Sequence, residues 1–348
     1  MKVNKKVIDN LTKCYSICPL TYKGREHILV AAEKQDPCYL YDLEGSREAT
    51  VWERPGGVMS MVQVPESDGV FLATHEFYSP NDSKRARIVI VSPDQSGRWE
   101  VRTLAELPHV HRFDIVRRNG VNYLIACALK SGHEFKDDWS MPGKVYAAAL
   151  PDDLSTFSEG HQLELTVVKD NMLKNHGYYK IVEGSIEKCI ISCDGGVYLF
   201  IPPAAPDGKW EIEKLVDEAA SDAVLVDMDG DGEKELAVIS PFHGSHLYFY
   251  KKIKGAYQKV YTYDKAEFAH AIYGGSFLGK PSVIIGHRQG ERNLLLFTYD
   301  EASGQYKSEI LDRDCGPANV YKFERGGKEV LISANREIDE IAMYTFEK

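Results

Sequence analysis

Eleven histidines punctuate the 348 residues, at positions 27, 75, 109, 111, 133, 161, 176, 243, 246, 270 and 287. Imidazole is the commonest ligand for zinc-, manganese- or iron-type ions, and it exchanges protons near neutral pH. His109-Val110-His111, on an extended segment, points both rings the same way by the two-residue period of a strand. His243-Gly244-Ser245-His246 is a short loop able to present two more. A second constellation is acidic. Asp227-Met228-Asp229-Gly230-Asp231-Gly232-Glu233-Lys234-Glu235 sets carboxylates on alternate positions with glycines at the bends, as a chain does when it wraps a hard cation in oxygen. Asp227, Asp229, Asp231 and Glu235 are the candidate ligands of a structural calcium there; the competing reading is a turn whose carboxylates face water.

Those residues need elements to position them, and the chain supplies the same element repeatedly. Val121–Cys127 resembles Glu187–Cys193, and both resemble Glu235–Ser240, Pro281–Gly286, Glu329–Ser333, His27–Ala31 and Val70–Thr74. Seven copies in 348 residues give a period of about 50, inside the range of β-propeller blades. Each copy reads as four strands, A to D. A tight turn such as Arg118-Asn119-Gly120 or Leu278-Gly279-Lys280 separates A from B. B is the apolar run itself, near-continuous because neighbouring blades cover both of its faces. C is aromatic-rich, as in Leu247-Tyr248-Phe249-Tyr250, and D alternates polar with apolar residues as an outer edge strand does, as in Tyr306–Leu311.

The chain stops after a C-type strand, Ile341–Phe346, while Val3–Ile8 resembles the missing D strand. The sequence therefore predicts an all-β fold: a single seven-bladed β-propeller of four-stranded blades, closed by its N-terminal strand. The blades are expected near 14–54, 57–106, 109–168, 175–216, 220–263, 268–312 and 317–346 plus 2–9. A pair of β-sandwiches would leave the orphan strand unexplained.

In such a ring, residues just before A and just after B share one face, here called the top. His109, His111, His176 and His270 precede or enter an A strand, and His75, His133, His243, His246 and His287 follow a B strand. Only His27 and His161 fall elsewhere, so nine of eleven histidines are expected on one face. That face is read as the functional site. Trp139, in a long loop spanning 131–143, and Tyr78, Tyr178 and Tyr179 could stack on the C–H faces of a sugar. Arg112, Lys136, Arg288 and Arg336 could hold a carboxylate, keto group or hydroxyls.

Composition excludes other classes. The formal net charge is −10, against the excess of Lys and Arg that grips nucleic acid or an anionic membrane. No apolar run approaches the roughly 18 residues of a membrane span, and Met1–Lys6 leads into no apolar signal core. Seven cysteines suit reduced thiols, and the expected location is cytoplasmic. A phosphate-binding loop, a G-x-S-x-G elbow and a C-x-x-C pair are all missing from the sequence.

The run Val224–Val238, built around the acidic turn, resembles the FG-GAP repeat of propeller proteins, and only this one of the seven turns carries the acidic set. A histidine-rich top face on a seven-bladed ring looks like the oligogalacturonide lyases. With His109–Asp114 opening a blade, the chain is more similar to the propeller domain of the aldos-2-ulose (1,5-anhydro-D-fructose) dehydratases, whose cupin domains it lacks. The resemblance implies metal-assisted β-elimination beside a carbonyl, acting on a small keto- or uronic sugar or an oligosaccharide. Under it, a divalent ion (manganese, zinc or magnesium) is held by His109, His111, His176 and His270. His243, His246 and His287, with Tyr179 and Glu134, are the acid–base candidates, while Arg112, Trp139, Tyr178, Arg288 and Arg336 bind substrate. Two other readings stand beside it. One is a non-catalytic propeller that binds a glycan or a protein. The other is a different sugar enzyme, an isomerase, an epimerase or a glycosidase, the last requiring two carboxylates such as Glu76 and Glu134 about 5–10 Å apart.

Overall fold

A computed structural model describes residues 1–347. Seven antiparallel four-stranded sheets make up the chain: six have their strands in sequence order, and the seventh takes its outermost strand from the N-terminus. The innermost strands are Cys14–Tyr22, Met61–Gln63, Val110–Arg118, Gly177–Glu183, Asp222–Val226, Ala269–Phe277 and Asn319–Arg325. The fold is thus the seven-bladed propeller that the repeats predict. The described residues contain no α-helix, and so none long and apolar enough to cross a membrane.

Burial explains the strand pattern. In blade one, Ile28 to Ala32 are all fully buried, and Ile284 and Ile285 are their counterparts in blade six. The cores lie between blades: Val224, Ala237 and Phe249 of blade five pack with Val283, Leu295 and Phe297 of blade six. Each such Val, Leu or Ile withdrawn from water contributes about 1.5–3 kcal/mol. All seven cysteines are free and buried in these cores.

The last sheet has the order expected for closure. Strand Lys2–Asn10 lies outermost against Glu340–Glu347, with register from Lys2↔Glu347 to Asn10↔Glu340. Lys5 bridges Asp312 at 2.8 Å and Glu340 at 2.7 Å, and the Tyr41 hydroxyl donates to Asp9 at 3.0 Å. Blade three departs from the simple repeat: its outer strand shrinks to Thr166–Lys169. The chain before it makes an excursion whose Leu154 and Phe157 enter the core shared with blade two. His161 sits there, exposed, its ring stacked on Phe157 at 5.3 Å.

Three inner strands carry a β-bulge at the same place, their top end. Register jumps from Cys14↔Ala32 to Ser16↔Ala31, from Val110↔Ala128 to Arg112↔Cys127, and from Ala269↔His287 to Ala271↔Gly286. The unpaired extra residues are Tyr15, His111 and His270. A bulge re-aims the side chain it carries, and these three meet.

Candidate metal centre

His176, His243 and His270 each offer one ring nitrogen to a common point, with those nitrogens all within 4.8 Å of one another. Three blades build this group. His176 stands just before the inner strand of blade four. Gly177 after it approaches blade five so closely that a Cβ there would lie 2.5 Å from the Asp222 Cα. That approach lets the His176 Nδ1–H donate to the Ser221 carbonyl at 3.2 Å. His270, on its bulge, donates Nδ1–H to the Ala318 carbonyl at 2.8 Å. His243 follows the second strand of blade five with φ +55°, and its backbone N–H bonds the Ser221 hydroxyl. Its ring stacks on His270 at 4.7 Å and meets His176 edge-on at 4.3 Å.

The donor set fits a transition metal. Carbonyls hold Nδ1–H of His176 and His270, so Nε2 carries the lone pair in both, the outer-shell arrangement of metal-bound histidines. Nε2 of His176 and Nδ1 of His243 are buried and have no hydrogen-bond partner. A buried polar atom left so costs about 1–3 kcal/mol, which a ligand would recover. Burial first, then neighbouring imidazoles and the Arg288 and Arg112 guanidiniums, hold His176 and His270 well below the usual histidine range and His243 at about 3. The rings are therefore neutral at pH 7, as ligands must be. Three imidazoles with further positions open are the composition of catalytic zinc-type sites.

His111 lies alongside. Its ring is 4.3 Å from that of His176, its Nδ1 is buried without a partner, and its Nε2 is 3.5 Å from the Tyr15 hydroxyl. That hydroxyl is 3.0 Å from His270 Nε2. Arg112 gives an N–H to the Met59 carbonyl at 3.0 Å and sits over the Tyr15 ring. Below this layer, Arg112, Asp114, Tyr178 and Lys180 line a channel recess of about 350 Å³, where Lys180 and Asp114 pair at 3.0 Å.

The rim is aromatic and charged. Phe268 stacks on His243 at 4.7 Å, and Phe242 meets His176 at 5.6 Å. Trp139 reaches Phe242 at 6.4 Å, so the long loop of blade three does border the site. Arg288 lies over Phe268 and bonds Glu337 at 2.7 Å. Arg336 is held by Glu33 and, at 2.7 Å, by Glu337. Both guanidiniums already carry carboxylate partners, and each retains free N–H donors.

Other expected residues stand apart. His109 does not join the group: it precedes the strand with φ +62°, and its Nε2 faces His133 Nδ1 at 3.2 Å, with Asp82 beyond at 3.6 Å. The bulge at His111 breaks the two-residue period that would have aligned the two rings. His246 stacks on Tyr248, and its Nδ1 is shared with the Ser245 hydroxyl at 3.2 Å. His287 uses both nitrogens locally, on Gln289 O at 2.9 Å and Asn293 N–H at 3.0 Å. Tyr179 gives its hydroxyl to the Gly274 carbonyl at 3.0 Å. Glu134 is exposed, in a turn where its N–H bonds Asp138. Sequence reasoning passed over Tyr15, Phe242, Phe268 and Glu337. Tyr15 had a signal, since Leu11-x-Lys13-Cys14-Tyr15 stands where Leu107-x-His109-Val110-His111 stands.

The acidic turn gathers Asp227, Asp229 and Glu235 into a second potential ion site. Lys251 reaches into it from the third strand of the blade: its ammonium contacts Asp229, lies 2.7 Å from Asp231 and 3.7 Å from Glu235. A calcium ion would have to displace that ammonium.

Among solved structures, the chain is similar to one titled "Streptogramin B lyase structure", with a TM-score of 0.55 and 15% sequence identity, covering 99% of this chain and 98% of that one. Likeness at that identity shows the propeller fold alone. No protein-family model and no curated protein matches the sequence.

Proposed function

We propose that the protein is a metal-dependent lyase or dehydratase that β-eliminates water or an alkoxide beside a carbonyl, its substrate a keto- or uronic sugar. The observation that carries this is the convergence of His176, His243 and His270, with buried nitrogens lacking any partner. A divalent ion bound there would polarise the carbonyl and acidify the adjacent C–H. His111, beside the three but outside their group and with an unpartnered Nδ1, would take that proton. The C–H pair becomes the new double bond, the β C–O bond breaks, and the departing oxygen takes up a proton. Phe242, Phe268 and Trp139 would stack on the apolar face of the ring, and free N–H groups of Arg288 and Arg112 would hold its oxygens.

The test is spectrophotometric. Keto- and uronic sugars should yield an unsaturated product absorbing in the near ultraviolet; a chelator should abolish the signal, and manganese, zinc or magnesium should restore it. His270→Ala should lose metal and activity together, while His161→Ala, in the exposed excursion, should lose neither. Turnover by metal-free protein would overturn the metal dependence, and no turnover of any such sugar by metal-loaded protein would favour the non-catalytic binding reading.

A further inference from the structure

One member of the layer is not a histidine. Tyr15 occupies in blade one the bulge position that His111 and His270 occupy in blades three and six. It is 2% exposed and its ring is fixed, edge-on to His270 at 5.2 Å and beneath the Arg112 guanidinium at 5.8 Å. Its hydroxyl points at the lone pair of His270 Nε2, 3.0 Å away, because the other ring nitrogen is committed to Ala318. That lone pair is also the one His270 would offer to an ion.

We propose that Tyr15 Oη is an oxygen ligand of the same centre, making it a three-nitrogen, one-oxygen site. The inference rests on the metal site put forward above and adds a ligand of different chemistry. Two donors on one ion at bond lengths of ~2.1 Å are about 3.0 Å apart at a right angle and about 3.4 Å apart at a tetrahedral angle. The Oη–Nε2 separation of 3.0 Å is therefore already a ligand–ligand separation. An ion entering between them takes the place of the hydroxyl hydrogen. Packing leaves the phenol ring nowhere to retreat: it belongs to the buried core formed with Met59, Phe77 and Leu107.

Binding then has a fixed proton balance. The Tyr15 O–H bond breaks, an oxygen–metal bond forms, one proton leaves to solvent, and nothing is oxidised or reduced. His176 and His270 release none, because the nitrogens they offer carry no hydrogen in the tautomers set by Ser221 and Ala318.

Zinc titration of the whole chain, followed by calorimetry at pH 7 in buffers of different ionisation enthalpy, counts that proton. The wild type should release one more proton per zinc than Tyr15→Phe. A second readout needs no variant: cupric or ferric ion on the wild type should give a visible phenolate-to-metal charge-transfer band, and Tyr15→Phe should lose it while still taking up metal. Zinc uptake with equal proton counts and no cupric or ferric band overturns Tyr15 as a ligand and leaves the three-imidazole site standing. If the wild type takes up none of these ions, the metal site itself falls and Tyr15 with it.

Discussion

Replacing His111 by Leu should make the metal-free protein more stable and, on the function proposed above, abolish elimination. His111 is 3% exposed; its Nδ1 has no partner, and its Nε2 has only the Tyr15 hydroxyl at 3.5 Å, long for an O–H···N bond. Losing that contact orphans nothing, because the same hydroxyl is 3.0 Å from His270. The Ser60 hydroxyl bonds the His111 backbone carbonyl, which the substitution keeps. Leu is close to His in volume, so neither a large cavity nor severe crowding follows. The change therefore removes about 1–3 kcal/mol of unrecovered desolvation. A 348-residue chain unfolds with an entropy near 0.7 kcal/mol per kelvin, so Tm should rise by roughly 1.5–4 °C. Thermal and urea unfolding in the presence of chelator measure this, and the eliminase assay runs in parallel with metal added. A variant less stable than wild type by more than about 1 kcal/mol would show that the imidazole is held by bonds the geometry lacks, and the reasoning would fail.

Deleting residues 1–10 should expose the edge of Glu340–Glu347 and strip Val3 and Ile8 from the cores they cover, a loss on the order of 3–5 kcal/mol with aggregation; light scattering and Tm check it, and a truncated chain as stable as the parent would contradict the closure. Calcium should leave the Tm of the wild type unchanged, whereas Lys251→Met should open the acidic turn so that millimolar calcium raises Tm; equal responses would show that Lys251 is no obstacle. Stability of chelated protein should fall as pH drops from about 6.5 towards 4. Burial holds folded His75 and His243 at about 3 and His109 at about 4, so the unfolded chain takes up protons first, at up to about 1.4 kcal/mol per pH unit for each histidine. A flat urea midpoint between pH 6.5 and 4.5 would refute that.

The ring was legible because its cause repeats. Apolar runs such as Val283-Ile284-Ile285 recur wherever two blades cover a second strand, and the orphan strand Val3–Ile8 had one sheet it could complete. The face bearing the histidines was legible for the same reason. Which rings converge was not, because a bulge leaves no mark in a periodic pattern: His109 and His111 look alike in sequence, and one extra residue in the ladder separates their environments. His246 and His287 were indistinguishable from His243 until their bonds to Ser245, Gln289 and Asn293 were in view. The partnership of Lys251 with the acidic turn depends on blade register, which composition does not encode.

The three bulges have a consequence for how such a centre can be acquired. Tyr15, His111 and His270 are supernumerary in their strands: two residues face one across the ladder, so each of them displaces no core side chain. Slipping a strand by a whole residue would turn its entire buried face outward, but an insertion absorbed at the bulge leaves the parity of Arg112, Phe113 and everything after them intact. An insertion or deletion absorbed at the bulge therefore changes the group presented at the top of the channel, while the remainder of the strand keeps its register with its neighbours. The group offered to the centre and the register of the blade are thus set at different positions of the same strand.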